Sequence, residues 1–380
     1  MRIFSTCLMA LALSLSQTVM AYTFKTEKWH TANGVQVIFY PAPEVPMLDI
    51  SLAFAAGSSY DGKQYGLSAL TSRLINQGNA GLDASAIADS LADTGAQFNI
   101  DNSRDMVVLN LRTLVTKEAL AQSTTTLAQI INHPDFPDDA FNREKQQLLM
   151  SIEQSKESPE EVADLNFFQA LYQDHPYAHP VNGTKETLKT ISKQQLLDFY
   201  HRYYIANNAV LVLVGDINSQ TAHQLADKLT KELPKGEKAI PVMQAHQLAK
   251  AETLNTPFPS SQTMIRLGQL GIDHHNSDYF PLMVGNYILG GGSLVSRLAV
   301  EVREKRGLTY GVDSQFAPMP GEGPFLISLS THNEQAPKAL DVIQNVLHNY
   351  IENGPSDQEL NDAKQYLTGS FPLSLASNRS

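Results

Sequence analysis

Residues 137–148 read PDDAFNREKQQL and residues 356–367 read SDQELNDAKQYL, so one charged and apolar pattern returns 219 positions later. Each copy follows a strand pattern and an amphipathic helix pattern, at residues 107–113 and 117–131 in the first copy and at residues 325–331 and 336–351 in the second. Each of these helices ends before a proline, Pro137 or Pro355, that starts the next helix. Because the period is far longer than that of a solenoid repeat, it predicts two homologous domains.

The first copy alternates strands with groups of helices. Its β-branched and alternating stretches predict strands at residues 35–40, 47–54, 97–99, 107–114 and 209–214. Its amphipathic stretches predict helices at residues 67–76, 84–93, 117–131, 138–156, 160–172, 193–204 and 221–233, with Ser192 and Gly95 as caps. We therefore predict an α+β fold of two homologous domains, each an antiparallel or mixed β-sheet with helices packed on one face.

Composition sets the domain boundaries. We assign residues 22–233 to an N-terminal domain and residues 262–380 to a homologous C-terminal one. Residues 234–261 between them are polar and include Pro257 and Pro259, which is typical of an interdomain linker.

The second copy is shorter than the first. After Lys145 the first copy continues to a closing strand and helix, whereas only residues 365–380 follow Lys364 in the second. We therefore expect that the C-terminal domain is truncated in this sequence; the alternative is a naturally minimal second domain.

The N-terminus, residues 1–21, has the pattern of a secretory signal peptide. Arg2 supplies a positive start, residues 3–16 are an apolar run too short to span a bilayer, and residues 19–21 (VMA) are the expected cleavage site. The alternatives are a buried first strand and an interfacial anchor. The sole cysteine, Cys7, lies inside this segment, so the mature chain would have no thiol nucleophile or thiolate metal ligand. The pattern predicts export, to the periplasm if the source is a Gram-negative bacterium.

Charge and hydrophobicity narrow the classes of partner. The formal net charge is −11, and it becomes −12 without Arg2, since 27 basic residues then face 39 acidic ones. This acidic balance, with no basic tract, argues against nucleic acid as a partner. No later apolar stretch approaches the roughly 20 residues that cross a bilayer.

Two segments carry the chemistry. Residues 57–79 read GSSYDGKQYGLSALTSRLINQGN, and residues 289–312 read LGGGSLVSRLAVEVREKRGLTYGV. Both resemble the pitrilysin/insulinase family of zinc peptidases, as do HPYAHPVNG at residues 175–183 and FYHRYYIANNAVLVLVGDI at residues 199–217. The resemblance covers nearly the whole mature chain.

The resemblance also shows what is missing. The family carries an inverted zinc motif, His-x-x-Glu-His, directly after a Gly-Leu step, which is Gly66-Leu67 here. The two histidine positions are therefore Ala69 and Arg73, and the position of the general base is Ser72. Alanine has no lone pair to donate, and arginine brings a permanent positive charge to the place of the metal.

The third ligand position is degenerate as well. The resemblance implies a glutamate seven positions after the pair Arg143-Glu144, and Ser151 stands there. Glu153 is close in sequence but on another face of the helix. Because a catalytic zinc site needs three protein ligands, we predict that this chain binds no metal and has no catalytic residue of its own.

The remaining histidines do not suggest a second metal site. His175 and His179 are four apart, but each is followed by a proline that prevents a shared helix, so a packed loop is the favoured interpretation. His274 and His275 are adjacent in a predicted loop, where neighbours do not usually converge on one metal.

The motif of the second domain is complete. Residues 296–306 have a helix pattern ending at Gly307, and residues 308–312 have the pattern of a strand start. From the pattern alone, Arg303 would be a solvated charge and Tyr310 a strand aromatic. The resemblance implies instead that both reach across a chamber and donate hydrogen bonds to the oxyanion of a tetrahedral intermediate.

Two further segments border the substrate in the family. The possible substrate loop contains Gly290, Gly291 and Gly292; it lacks the lysine of a P-loop, and a flexible turn is the alternative. Asn99, in the stretch GAQFN, matches a strand to whose edge an extended peptide adds. This second match is weaker, because the residues expected after Asn99 differ.

The leading hypothesis is a non-catalytic subunit of an exported heteromeric zinc metallopeptidase. A homologous, zinc-competent partner would hydrolyse peptides, while this chain would close the chamber and supply Arg303 and Tyr310 in trans. One alternative is an envelope peptide-binding or scaffold protein with no peptidase role. A further alternative is a self-sufficient peptidase with a relocated metal.

Overall fold

The computed structural model describes residues 25–374. The predicted signal peptide with Cys7, and residues 375–380 at the other end, lie outside the described residues.

A six-stranded mixed sheet forms the base of the first half. In chain order the strands of this half are β1 (Glu27–His30), β2 (Gln36–Pro41), β3 (Met47–Phe54), the separate short hairpin of β4 (Gly78–Asn79) and β5 (Leu82–Asp83), β6 (Gln97–Asn102), β7 (Val107–Leu114) and β8 (Ala209–Gly215). The spatial order of the sheet is β1-β2-β8-β3-β7-β6, and only β2 and β8 run parallel. The late strand β8 thus lies in the middle of the sheet, with β6 at one edge.

The helices of the first half cover one face of this sheet. They are α1 (Leu67–Leu74), α2 (Ala84–Ala92), α3 (Lys117–Asn132), α4 (Asp138–Ser155), α5 (Pro159–Tyr172), α6 (Lys185–Thr190), α7 (Lys193–Tyr203) and α8 (Ser219–Thr230). Leu52, Leu109 and Leu211 lie side by side in register and are fully buried in the core. The opposite face is largely half-buried and mixes apolar side chains, such as Val210 and Val212, with polar ones; there Ser51 Oγ donates to Asn110 Oδ1 at 2.6 Å. The predicted sheet with helices on one face is confirmed.

The second half repeats this arrangement with fewer strands. Its elements are β9 (Gln262–Leu270), α9 (Tyr279–Asn286), β10 (Val312–Phe316), β11 (Pro324–His332), α10 (Ala336–Asn353) and α11 (Asp357–Ser374), and the antiparallel sheet has the order β10-β11-β9. Helices α10 and α11 begin 219 positions after α3 and α4, respectively. The repeated sequence segment is therefore the same helix in both halves.

The predicted α-helix at residues 296–306 is only partly correct. Ser293–Val295 forms a 3₁₀ turn, and a π-helical turn follows at Ala299–Glu304. A second π-helical turn, Tyr287–Gly291, lies just before this segment. A π-helical turn holds one extra residue, which the apolar spacing of the sequence does not reveal.

The strand predicted to start within residues 308–312 begins only at Val312. Gly307, with φ +60°, ends the helical segment as predicted and donates its N–H to the carbonyl of Arg303. The hydroxyl of Thr309 then donates to the carbonyl of Ser330 at 2.7 Å, which holds this stretch as a loop in place of ladder bonds.

Helix α5 of the first half packs against β9 of the second. The side chain of Arg266 on β9 is 7% exposed, and its Nε donates to Asp164 Oδ1 at 2.5 Å. Its Nη2 is 3.3 Å from Glu160 Oε1. Residues 234–261 form neither helix nor strand, and they contact both halves of the molecule. The N–H of Ala239 donates to Asn208 in the first half, and the N–H of Ala245 donates to the carbonyl of Gly321 in the second.

Asp164→Ala is expected to lower the free energy of unfolding by about 1–2 kcal/mol, between the values typical of exposed and of buried ion pairs. The reason is that the nearly buried Arg266 would lose its shorter carboxylate contact and keep the longer one with Glu160. Urea unfolding measures the change. Glu160→Ala is the matched control, and the expected loss is below about 0.5 kcal/mol because this carboxylate is 69% exposed. Equal effects of the two variants would contradict the assignment.

Candidate functional site

Helix α1 carries Ala69, Ser72 and Arg73, the positions that the resemblance matches to the zinc motif, and its start is tightly specified. Gly66 adopts φ +97°, and a Cβ there would lie 2.9 Å from the carbonyl oxygen of Asn182, so glycine is required. The buried carboxylate of Asp61 accepts N–H bonds from Gly66 and Ser68 at 2.7 and 2.8 Å. Burial raises the pKa of Asp61 to about 7, against the lowering effect of these backbone donors. Asp61 thus fixes the first turn of α1.

The residues at the metal positions do not present ligands. Ala69 is buried and has no donor atom. Ser72 is also buried, and its hydroxyl donates back to the carbonyl of Ala69 at 2.9 Å. Ser151 is half-buried on α4, and Glu153 points to solvent, where it pairs with two lysines.

Arginine occupies the remaining metal position and faces a buried carboxylate. Glu144 on α4 is only 7% exposed. Arg73 Nη1 lies 3.9 Å from Glu144 Oε2, and Arg143 Nε lies 3.5 Å from Glu144 Oε1. The guanidinium of Arg73 therefore supplies positive charge beside Glu144. These residues do not fit a zinc ion, since a metal placed here would meet a permanent cation and no imidazole.

No other metal-binding group occurs in the described part of the chain. Within residues 25–374, no three His, Asp or Glu side chains come together in a ligand geometry. His175 and His179 are packed in their loop, whereas the ring of His275 is 99% exposed.

The second-half motif forms an open pocket of about 270 Å³. Arg303 lines it together with Gly290, Gly291 and Asp313. Two π-helical turns frame the pocket, because Gly290 and Gly291 end one turn and Arg303 belongs to the next. Burial raises the pKa of Asp313, which Arg266 opposes. The pocket therefore presents the guanidinium of Arg303 next to the backbone of Gly290 and Gly291.

Arg303 is chemically available. Within residues 25–374, neither Arg303 nor Tyr310 makes a hydrogen bond or ion pair through its side chain. Its neighbour Arg306, by contrast, is paired with Glu301 at 2.6 Å. Tyr310 is 82% exposed and does not line the pocket, and neither does Gly292. The structure thus brings Arg303 together with two of the three predicted glycines.

Asn99 lies on the edge strand β6, exposed, with its amide donating to Asp101 Oδ2 at 3.0 Å. Asn110 donates to the same carboxylate oxygen at 2.8 Å. Asn99, Asp101 and Asn110 therefore form a polar row beside the free edge of β6, which an added peptide strand would contact.

Sequence reasoning missed Glu144, Asp61 and Asp313. The position of Glu144 could have been recognised from the sequence, because a carboxylate on the apolar side of a helix needs a hydrogen-bond donor or a cation nearby. Asp61 stands five residues before the Gly66 cap, a spacing that gives little indication of a bond.

Taken together, the described residues form a two-domain peptidase-like fold with a pocket in its second half, and those of its first half bring no set of metal ligands together. A family model described as "Insulinase (Peptidase family M16)" matches residues 37–185, and one described as "Peptidase M16 inactive domain" matches residues 190–367. The chain belongs to the insulinase (peptidase M16) family.

Individual relatives agree with this assignment. The Helicobacter pylori protein named non-peptidase homolog YmxG is 30% identical over 347 residues, which cover 89% of this chain and 78% of that protein. An uncharacterized zinc protease of Rickettsia felis is 27% identical over 304 residues, covering 80% and 73%. The crystal structure of a peptidase M16 inactive domain from Pseudomonas fluorescens is 41% identical, with a TM-score of 0.90 and coverage of 93% and 85%. Among residues 25–374, no helix is long and apolar enough to span a membrane.

Arg73→Met is expected to destabilise the chain by about 1–2 kcal/mol, because the buried Glu144 would keep only Arg143 as a partner. In a Glu144→Gln background the same substitution should have a much smaller effect, since no buried charge is left unpaired. Chemical unfolding of the four chains of this double-mutant cycle measures the coupling. Additive effects would show that the two side chains do not interact.

Proposed function

We propose that this chain is a non-catalytic subunit of an exported heteromeric zinc metallopeptidase. A zinc-competent homologous subunit would hold the metal and hydrolyse the peptide. This chain would form part of the chamber wall and present Arg303 and Tyr310 to the substrate. The observation that carries the proposal is the unpaired Arg303 in an open, glycine-walled pocket, in a chain whose metal positions hold Ala69 and Arg73.

The chemistry of the pocket supports this role. A guanidinium has five N–H donors and a permanent charge, so it stabilises negative charge that develops on a peptide carbonyl oxygen. A phenol such as Tyr310 is a second donor, and its exposure leaves it free to contact another molecule. The polar row beside the free edge of β6, which includes Asn99, suits an extended peptide.

Export is proposed from the N-terminal pattern of Arg2 followed by an apolar run. The acidic net charge and the family of the chain favour a protein partner over nucleic acid. A scaffold role without any peptidase partner is the second candidate, because a relative is named as a non-peptidase homologue.

Arg303→Ala is expected to reduce peptide hydrolysis by the mixture of this chain with a zinc-competent sister by roughly 10²–10³-fold, the usual loss for one oxyanion donor. Complex formation, followed by light scattering, should be unchanged. Arg306→Ala is the control, because Arg306 is already paired with Glu301 outside the pocket. Full turnover by the Arg303→Ala mixture would contradict the role of Arg303 and would favour the scaffold role.

Zinc content provides an independent test. After dialysis against chelator and then zinc, the unaltered chain is expected to retain far less than one zinc per molecule by elemental analysis, since three ligands are the usual minimum. The quadruple variant Ala69→His, Ser72→Glu, Arg73→His and Ser151→Glu should retain one. Stoichiometric zinc in the unaltered chain would refute the empty-site assignment.

A further inference from the structure

The loop at residues 175–183, HPYAHPVNG, touches three separate parts of the molecule, and the proposed function gives it no role. We call it the bridging loop. It is packed tightly at its end, where a Cβ on Gly183 would lie 2.2 Å from the carbonyl oxygen of Tyr65. The ring of His179 stacks on that of Tyr65 at 4.2 Å. The loop is thereby fixed to the segment that leads into α1.

The second contact is to the turn between β6 and β7. The Tyr177 hydroxyl donates to Asp105 Oδ1 at 2.5 Å. Arg104 Nε donates to the carbonyl of Tyr177 at 3.0 Å, and its guanidinium lies 3.7 Å from the ring centre of Phe168. Burial raises the pKa of Asp105, and the bond from Tyr177 opposes that rise. The tip of the β6–β7 hairpin is therefore held by buried polar contacts.

The third contact crosses to the second half. The Gly321 N–H, in the turn between β10 and β11, donates to the same Tyr177 hydroxyl at 3.0 Å. In the same turn, the carbonyl of Glu322 accepts the hydroxyl of Tyr172 at 2.9 Å. His175 Nε2 bonds the carbonyl of Met243 at 2.8 Å and completes this side of the loop.

One hydroxyl thus joins the tips of two equivalent hairpins, one from each half. The β6–β7 hairpin carries Asn99 on its free edge. The β10–β11 hairpin carries Asp313, which lines the Arg303 pocket, and its ladder is continuous from Val312 to Phe316. The paired strand β10 thus connects the turn to the pocket residue Asp313.

We propose that Tyr177 is a positioning residue that sets the placement of the Arg303 pocket relative to the first-half edge strand. It acts on the geometry of the site and does not touch substrate. The placement of the pocket by Tyr177 depends on the observed contacts alone, whereas its effect on hydrolysis rests on the proposed function.

Tyr177→Phe tests this placement on the full chain by itself. The ring packing is kept, but Asp105 loses a donor and Gly321 loses an acceptor. Amide exchange at Gly321 is expected to accelerate about tenfold, as befits the loss of one hydrogen bond. Tyr200→Phe is the matched control, because its hydroxyl donates to Ile131 within the first half, at 3.2 Å. That variant should leave Gly321 exchange unchanged.

A distance measurement separates positioning from local fraying. Cys7, in the predicted signal segment, is the sole cysteine of the sequence, so Glu118→Cys and Gln344→Cys in a chain that begins at Tyr22 place one spin label on each half. We expect a broadened or shifted distance distribution in Tyr177→Phe and the parental distribution in Tyr200→Phe. Tyr172→Phe, which frees the same turn from its other side, should show a smaller change. Parental distributions in both Tyr177→Phe and Tyr172→Phe would overturn the proposal.

With a zinc-competent partner, Tyr177→Phe is expected to lower kcat more than it raises KM. The effect of Arg303→Ala should then shrink in the Tyr177→Phe background, because the guanidinium is already misplaced. Independent effects of the two substitutions would contradict positioning through the pocket. If every mixture is inactive while the distances change as expected, the proposed function fails and the geometric coupling remains.

Discussion

A buried carboxylate needs compensating positive charge or hydrogen-bond donors, and in the first half of this chain two arginines supply positive charge to Glu144. Glu144 is 7% exposed between α1 and α4, and Arg73 and Arg143 approach it from either side. Burial of an unpaired carboxylate would cost several kcal/mol, which is a large share of the stability of a domain. The helix pair can therefore keep its packing without a metal ion, because a side chain supplies the charge.

The two halves differ in sheet size and in the kind of surface that they present. The first half has the large sheet with the free β6 edge, whereas the second has a small sheet and the open pocket. Between them, contacts from α5 and the bridging loop are buried and partly polar, including Arg266 with Asp164. Polar contacts of this kind have directional geometry, so they define how the halves are placed more narrowly than apolar packing alone.

The sequence was sufficient for features that depend on nearby residues. The repeat predicted α4 and α11 as equivalent helices, and Ser192 caps α7 through a reciprocal pair with Gln195. It was insufficient where one residue more or less changes the helix type, as in the π-helical turns around Arg303. It also could not show long-range partners: Tyr177 and Gly321 are 144 positions apart, and nothing in either neighbourhood specifies the other.

The same charge constraint explains why the altered metal site is not a simple loss. Replacing Arg73 by histidine alone would remove one of the two cations beside Glu144 and would supply only one imidazole. With Ala69 and Ser151 unchanged, no three ligands would be assembled, so the substitution would cost stability without binding metal. A path to three zinc ligands that begins with Arg73 therefore passes through a less stable chain. None of Ala69, Arg73, Glu144 and Ser151 lines the Arg303 pocket, so residues at the metal positions can differ while the pocket keeps the same lining.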